Sequence, residues 1–186
     1  MDNTGGFGYL EETTRWGFES SWARKMKQAI NIPIKSSKLN GIYKPYAGVK
    51  PHITLVYPFE YSDQKKLKEH IKKSISKIKP FKISFEDLKK SKREYYLYLL
   101  VKKGKPIIVN LQRKLNSGLL DFPKKINVFE WPPHITLRIF KNKKEINDYI
   151  QKIKDKRIKF EFNVNKIQLV GLKGNKIIKR IKFNLK

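Results

Sequence analysis

Two of the three histidines in this chain stand in the same five-residue setting, Pro-His-Ile-Thr-Leu, at Pro51–Leu55 and again at Pro133–Leu137. The histidines, His52 and His134, lie 82 positions apart. An imidazole titrates near pH 6.5, so of two that face one substrate, one is able to take a proton while the other, already protonated, gives one. A threonine hydroxyl two residues further on is a donor for a phosphate oxygen as negative charge builds there. Two imidazoles and two hydroxyls form a set that splits a phosphodiester by proton transfer, without a metal. His52, Thr54, His134 and Thr136 are therefore the candidate catalytic residues.

For that set to work, each motif must lie on a strand. Side chains then alternate between faces, so His52 and Thr54 point one way and Ile53 and Leu55 the other, and likewise for His134, Thr136, Ile135 and Leu137. The same alternation carries Arg138 onto the face of His134 and Thr136, where its guanidinium is a candidate phosphate contact, and puts Val56 at the matching place after Thr54. Tyr43, Tyr46, Tyr57 and Trp131 flank the motifs and are candidates for stacking on a nucleobase. Lys50, Lys102 and Lys105 are further cations near them. The third histidine, His70 in KKLKEHIKK, reads as a solvated helix residue. Glu60 and Glu130 have no spacing to the histidines that matches a familiar metal site, and neither a GKS/T phosphate loop nor a strand-linked GxGxxG is present.

The elements that must position the motifs follow from periodicity. Runs of alternating apolar residues separated by lysine-rich helical patterns predict an α+β fold. GGFGYL is expected as a short first strand and Phe18–Ile32 as a helix stopped by Pro33. After the first motif, Ser62 is expected to cap a helix to about Lys79, with Leu67, Ile71, Ile75 and Ile78 on one face and Pro80 ending it. FKISF and EYYLYLLV read as strands. A helix from about Pro106 to Leu119 carries Ile107, Leu111 and Leu115 at helical spacing. A helix near Lys144–Ile153 then leads to two strands, KFEFNVNKIQLV and KIIKRIKFNL, joined by a turn at Gly174-Asn175. Strand, helix and motif recur in approximately the same order, which predicts two similar lobes around a shared groove.

Composition bounds the function. The 186 residues fit a single domain, and 39% apolar residues suffice for a core. Without cysteine there is no disulfide, thiolate metal site or thiol nucleophile. The first residues are neither basic nor followed by an apolar run, and no stretch is long and apolar enough to span a bilayer, so a soluble, cytoplasmic protein with no membrane partner, acting as a monomer, is expected. The formal charge of +27 points to a polyanionic partner. With 36 lysines against 7 arginines, that attraction is of the point-charge kind rather than bidentate readout.

Paired His-x-Thr motifs on strands, here His52-Ile53-Thr54 and His134-Ile135-Thr136, about eighty residues apart, resemble the 2H phosphoesterase superfamily, which includes 2'-5' RNA ligase-like proteins and RNA 2',3'-cyclic phosphodiesterases. The resemblance covers roughly Phe18–Lys186. It implies a bilobal fold, two pseudo-symmetric lobes of antiparallel sheet with outer helices and a central groove. It also implies chemistry without a cofactor, at a phosphodiester that involves a ribose 2'-oxygen, with both histidines and both threonines in the site. By the same resemblance His134 is assigned as base and His52 as acid. Two departures stand out: residues 1–17 form an atypical N-terminal extension, and Ile139 stands where many relatives have an arginine, with Arg138 one position earlier.

The leading expectation is thus a phosphodiesterase acting on 2',3'-cyclic phosphate ends or 2'-5' links of RNA or oligonucleotides. An alternative keeps the chemistry but takes a cyclic di- or oligonucleotide or 2'-5' oligoadenylate immune signal, as some viral and phage members of the superfamily do. A third is an RNA-binding module of weak catalytic power.

Overall fold

The structure, a computed structural model, describes residues 27–44, 49–91, 95–121, 132–154, 156, 158–174 and 176–186. The expected GGFGYL strand, Tyr46 and Trp131 lie outside the described residues.

Among the described residues, eight strands form two four-stranded antiparallel sheets. In chain order the elements are β1 Lys27–Pro33, β2 His52–Phe59, α1 Gln64–Ile75, β3 Phe81–Lys90, β4 Tyr96–Val101, α2 Lys105–Leu115, β5 His134–Ile139, α3 Lys143–Ile153, β6 Phe160–Val164, β7 Lys166–Lys173 and β8 Lys176–Asn184. The first sheet runs β2-β1-β7-β8 and the second β5-β4-β3-β6. Each histidine motif therefore occupies an edge strand, and the two edges, β2 and β5, contact each other. One apolar cluster, from Ile30 to Leu185, takes in both sheets and all three helices.

Residues 27–32, expected in a helix, are strand. β1 lies between β2 and β7, with Gln28 to Ile32 all buried. Burial on both faces removes the period-two signature from a central strand. Its polar members are paired: Gln28 Nε2 donates to the Tyr61 carbonyl at 2.8 Å, and Asn31 Oδ1 accepts from Gln168 Nε2 at 2.8 Å. Pro33 closes the strand opposite His52, where its missing N–H interrupts nothing further.

The helices begin on identifiable caps. Asp63, not Ser62, caps α1, its Oδ1 accepting from the Lys65 and Lys66 N–H groups at 3.1 and 3.0 Å. The helix ends at Ile75, and Ile78 is buried beyond it. Asn142 Oδ1 accepts from Glu145 N–H at 2.9 Å, and Glu145 reaches back to the Lys141 N–H at 3.2 Å, a reciprocal cap for α3. In α2 the buried face is Ile108, Leu111 and Leu115; Ile107 is exposed, one position out of phase with the expected stripe. Gly104 starts α2 at φ +79°, and a Cβ there would meet Ile83 Cγ2 at 2.7 Å and the Lys82 carbonyl at 2.8 Å. Only glycine allows so close an approach of α2 to β3.

The run KFEFNVNKIQLV is two strands, not one. β6 pairs with β3 and β7 with β1 and β8, so the chain crosses between sheets at Asn165. His70 is half-buried rather than solvated, its Nε2 donating to the Leu115 carbonyl at 3.1 Å and tying α1 to the end of α2.

Candidate active site

Both motifs are built in the same way. Proline fixes its own φ and holds the preceding residue extended, which turns the carbonyl two residues before each histidine towards the ring. His52 Nδ1 donates to the Lys50 carbonyl at 2.9 Å and His134 Nδ1 to the Pro132 carbonyl at 2.8 Å. A carbonyl only accepts, so in each ring Nδ1 carries the hydrogen and Nε2 is the basic nitrogen. The proline carbonyls are matched as well: Ile34 N–H donates to Pro51 at 2.9 Å and Val101 N–H to Pro133 at 3.0 Å.

Ile53 and Leu55, like Ile135 and Leu137, are fully buried, while His52, Thr54, His134 and Thr136 are half-buried on the other side. Immediately after each threonine the register shifts. On β2, Thr54 pairs with Asn31 and Val56 with Ile30; on β5, Thr136 pairs with Tyr98 and Arg138 with Leu97. Simple alternation therefore stops at the threonines. Val56 turns into the core and is fully buried. Arg138 is carried to the side of Leu97, where its guanidinium lies 4.4 Å from the Tyr149 ring centre and 5.6 Å from that of Phe140. The expected run of 134, 136 and 138 on one face is broken by this shift.

Burial pushes both histidines below the ordinary imidazole value, and their carbonyl partners oppose that shift in part. A proton on His52 disfavours one on His134 further, so the two rings interact electrostatically. The pair therefore resists holding two protons together, which favours the mixed state that acid–base work needs.

Two residues join the site that sequence reading did not single out. The Tyr98 ring lies 5.0 Å from that of His134, tilted by 47°, because β4 pairs Tyr98 with Thr136. Gln112 Nε2 donates to the Thr54 carbonyl at 3.0 Å, reaching β2 from α2. Tyr98 was visible only as an alternating aromatic in EYYLYLLV; Gln112 carried no signal.

Of the flanking aromatics, Tyr43 lines a groove that His52 borders, its hydroxyl donating to the Val49 carbonyl. Tyr57 is half-buried on β2. Lys50 is exposed beside His52, whereas Lys102 is engaged elsewhere, 2.7 Å from Glu86, and Lys105 opens α2. Among the described residues no group of three or more His, Cys, Asp or Glu side chains is placed to hold a metal ion. Nor, among them, is any helix long and apolar enough to cross a membrane.

Comparison with known proteins bears on the family and the fold. The sequence profile of the family described as the 2'-5' RNA ligase superfamily matches residues 21–176. No curated protein matches the sequence. Among solved structures, E. coli LigT complexed with 3'-AMP superposes with a TM-score of 0.53 at 15% identity, over 86% of this chain and 99% of that one. E. coli LigT complexed with ATP gives 0.51 at 15% identity over 86% and 98%. A structure described as a phosphoesterase gives 0.52 at 13% identity over 86% and 99%. At these identities the likeness is one of fold.

Proposed function

Because this chain belongs to the 2'-5' RNA ligase superfamily, we propose that its paired His-x-Thr motifs form one active site that cleaves phosphodiesters involving a ribose 2'-oxygen, at 2',3'-cyclic phosphate ends or 2'-5' links of RNA. The observation that carries this reading is the duplicated ring geometry: each imidazole is held through Nδ1 by the carbonyl two residues before it, on edge strands that meet.

In this reading the neutral imidazole, His134, takes a proton through Nε2 from the attacking water as its oxygen bonds to phosphorus. His52, protonated, gives its Nε2 proton to the ribose oxygen as that P–O bond breaks. One proton enters the pair and one leaves, so the pair is restored after the acid and base exchange a proton with solvent. Thr54 and Thr136 donate to the non-bridging oxygens, where charge builds. Tyr43 and Tyr57 are proposed to stack on the base. Arg138, turned towards Tyr149, is assigned no contact with the ester.

The test is a pooled set of cyclic-phosphate RNAs, 2'-5' oligomers and cyclic oligonucleotides incubated with the protein in chelator, with products identified by mass. A hydrated product from the cyclic-phosphate or 2'-5' classes is expected. Turnover that disappears on chelation, or no hydrated product from any class, would sink the proposal.

A further inference from the structure

His52 borders a groove of about 970 Å³ that extends away from the histidine pair, over the face of the first sheet. Beneath it a row of register partners crosses all four strands, Thr54 on β2, Asn31 on β1, Gln168 on β7 and Lys182 on β8, and the last three of these line the groove. Partners across a sheet share a face, so the row leaves the catalytic threonine and ends on a cation. At the usual strand spacing its three steps measure about 14 Å, the length of about four stacked nucleotides and fewer stretched ones.

The chemistry of the lining is one-sided. Lys35, Lys50, Lys166, Arg180 and Lys182 face the groove, and no Asp or Glu is among the described residues that line it. Two buried amides in the floor are joined, Gln168 Nε2 donating to Asn31 Oδ1 at 2.8 Å, so the middle of the floor is polar without charge. Tyr43 and Phe162 in the lining supply aromatic surface. Cations along a track with aromatic walls suit a sequence-tolerant single strand, in which phosphates are held by charge and bases by stacking. A mononucleotide or a compact cyclic dinucleotide at His52 would leave the far cations, on β7 and β8, unused.

We infer that this face of the first sheet, reached past His52, is a binding track for the body of a single-stranded oligonucleotide whose reacting end lies between the histidines. The inference rests on the phosphodiesterase reading for that end, and names the substrate class as a chain several nucleotides long.

The test uses oligouridylates of two, four and eight residues ending in a 2',3'-cyclic phosphate. It compares the wild-type protein, the triple variant Lys166→Gln/Arg180→Gln/Lys182→Gln, and Lys152→Gln, which changes an exposed lysine on α3. In the wild type kcat/KM is expected to rise about tenfold from the dimer to the tetramer and then level off. The triple variant should flatten that rise, and the salt dependence of binding to the longer oligomers should fall by about two in log–log slope, at 0.7 for each lost phosphate contact. The Lys152 variant should retain the rise. Turnover independent of length in the wild type, or a rise undiminished in the triple variant, overturns the track. If no length is turned over, the catalytic reading fails separately, and fluorescence anisotropy with the labelled eight-mer decides the track: affinity about tenfold weaker in the triple variant supports it, and equal affinity overturns it.

Discussion

Gln112 and Thr54 are 58 residues apart and joined by one hydrogen bond, the Gln112 side chain donating to the Thr54 carbonyl at 3.0 Å. One turn further along α2, Asn116 Nδ2 donates to the Leu55 carbonyl at 2.8 Å. β2 is an edge strand, so its outward carbonyls lack a ladder partner. Two amides, one from α2 and one from the residue that caps its end, satisfy them at the point where the register shifts; α2 follows the second sheet's β4 in sequence. The strand that carries the first motif is thereby braced by an element belonging, in chain order, to the other lobe.

Replacing Gln112 by leucine keeps the volume and strands the Thr54 carbonyl. An unsatisfied buried acceptor costs about 1–3 kcal/mol. Urea unfolding should show a lower midpoint at an unchanged slope. An unshifted midpoint would mean that the bond does not brace the strand.

His52→Ala and His134→Ala should each lower kcat/KM by about 10²-fold or more. The double variant should lose little beyond the worse single one, because the two rings act on one proton-transfer sequence. Fully multiplicative losses in single-turnover assays would indicate separate roles at separate sites.

Both histidines are held below the ordinary imidazole range by burial, and a proton on His52 lowers His134 further. The singly protonated pair is therefore most populated on the acid side of about pH 6.5. The pH profile of kcat/KM, which reports the free enzyme, should be bell-shaped with its maximum below that value. A plateau extending to alkaline pH would contradict acid catalysis by an imidazole.

The same lowering has a consequence for stability. Between the folded and unfolded values the unfolded chain binds more protons, so stability rises with pH in that window. The contribution is complete above about pH 6.5 and is lost as the pH falls through the lowered values. His52→Gln/His134→Gln should flatten the decline in Tm as pH is lowered below 6.5. A double variant with an unchanged decline would place the proton uptake on other groups.

Gly104→Ala puts a Cβ against the backbone of Lys82 and the side chain of Ile83 at a positive φ. Strain of this kind costs about 1–3 kcal/mol, and thermal unfolding should register it. Gly41→Ala shares the positive φ but meets nothing within 4 Å, so it should cost less.

Much of the site was legible because its information is local. The repeat of Pro-His-Ile-Thr-Leu specifies an extended backbone, a ring turned to a neighbouring carbonyl, and an apolar pair behind it, all within five residues. Leu67, Ile71 and Ile75 declared one face of α1 by their spacing. The strand at 27–33 was not legible, since a strand covered on both faces loses its alternation and its Ile and Ala then fit a helix equally well.

What the chain alone determined is the set of chemical groups: two imidazoles and two hydroxyls in a repeated motif, and which face of each strand they share over three residues. Where that face ends was decided by tertiary structure. Pairing with β1 and β4 shifts the register after both threonines, sends Val56 to the core and Arg138 to Tyr149, and brings Tyr98 beside His134. Side-chain direction is propagated along a strand by the backbone, but register is set by the hydrogen bonds of a partner distant in sequence, and no local pattern encodes that.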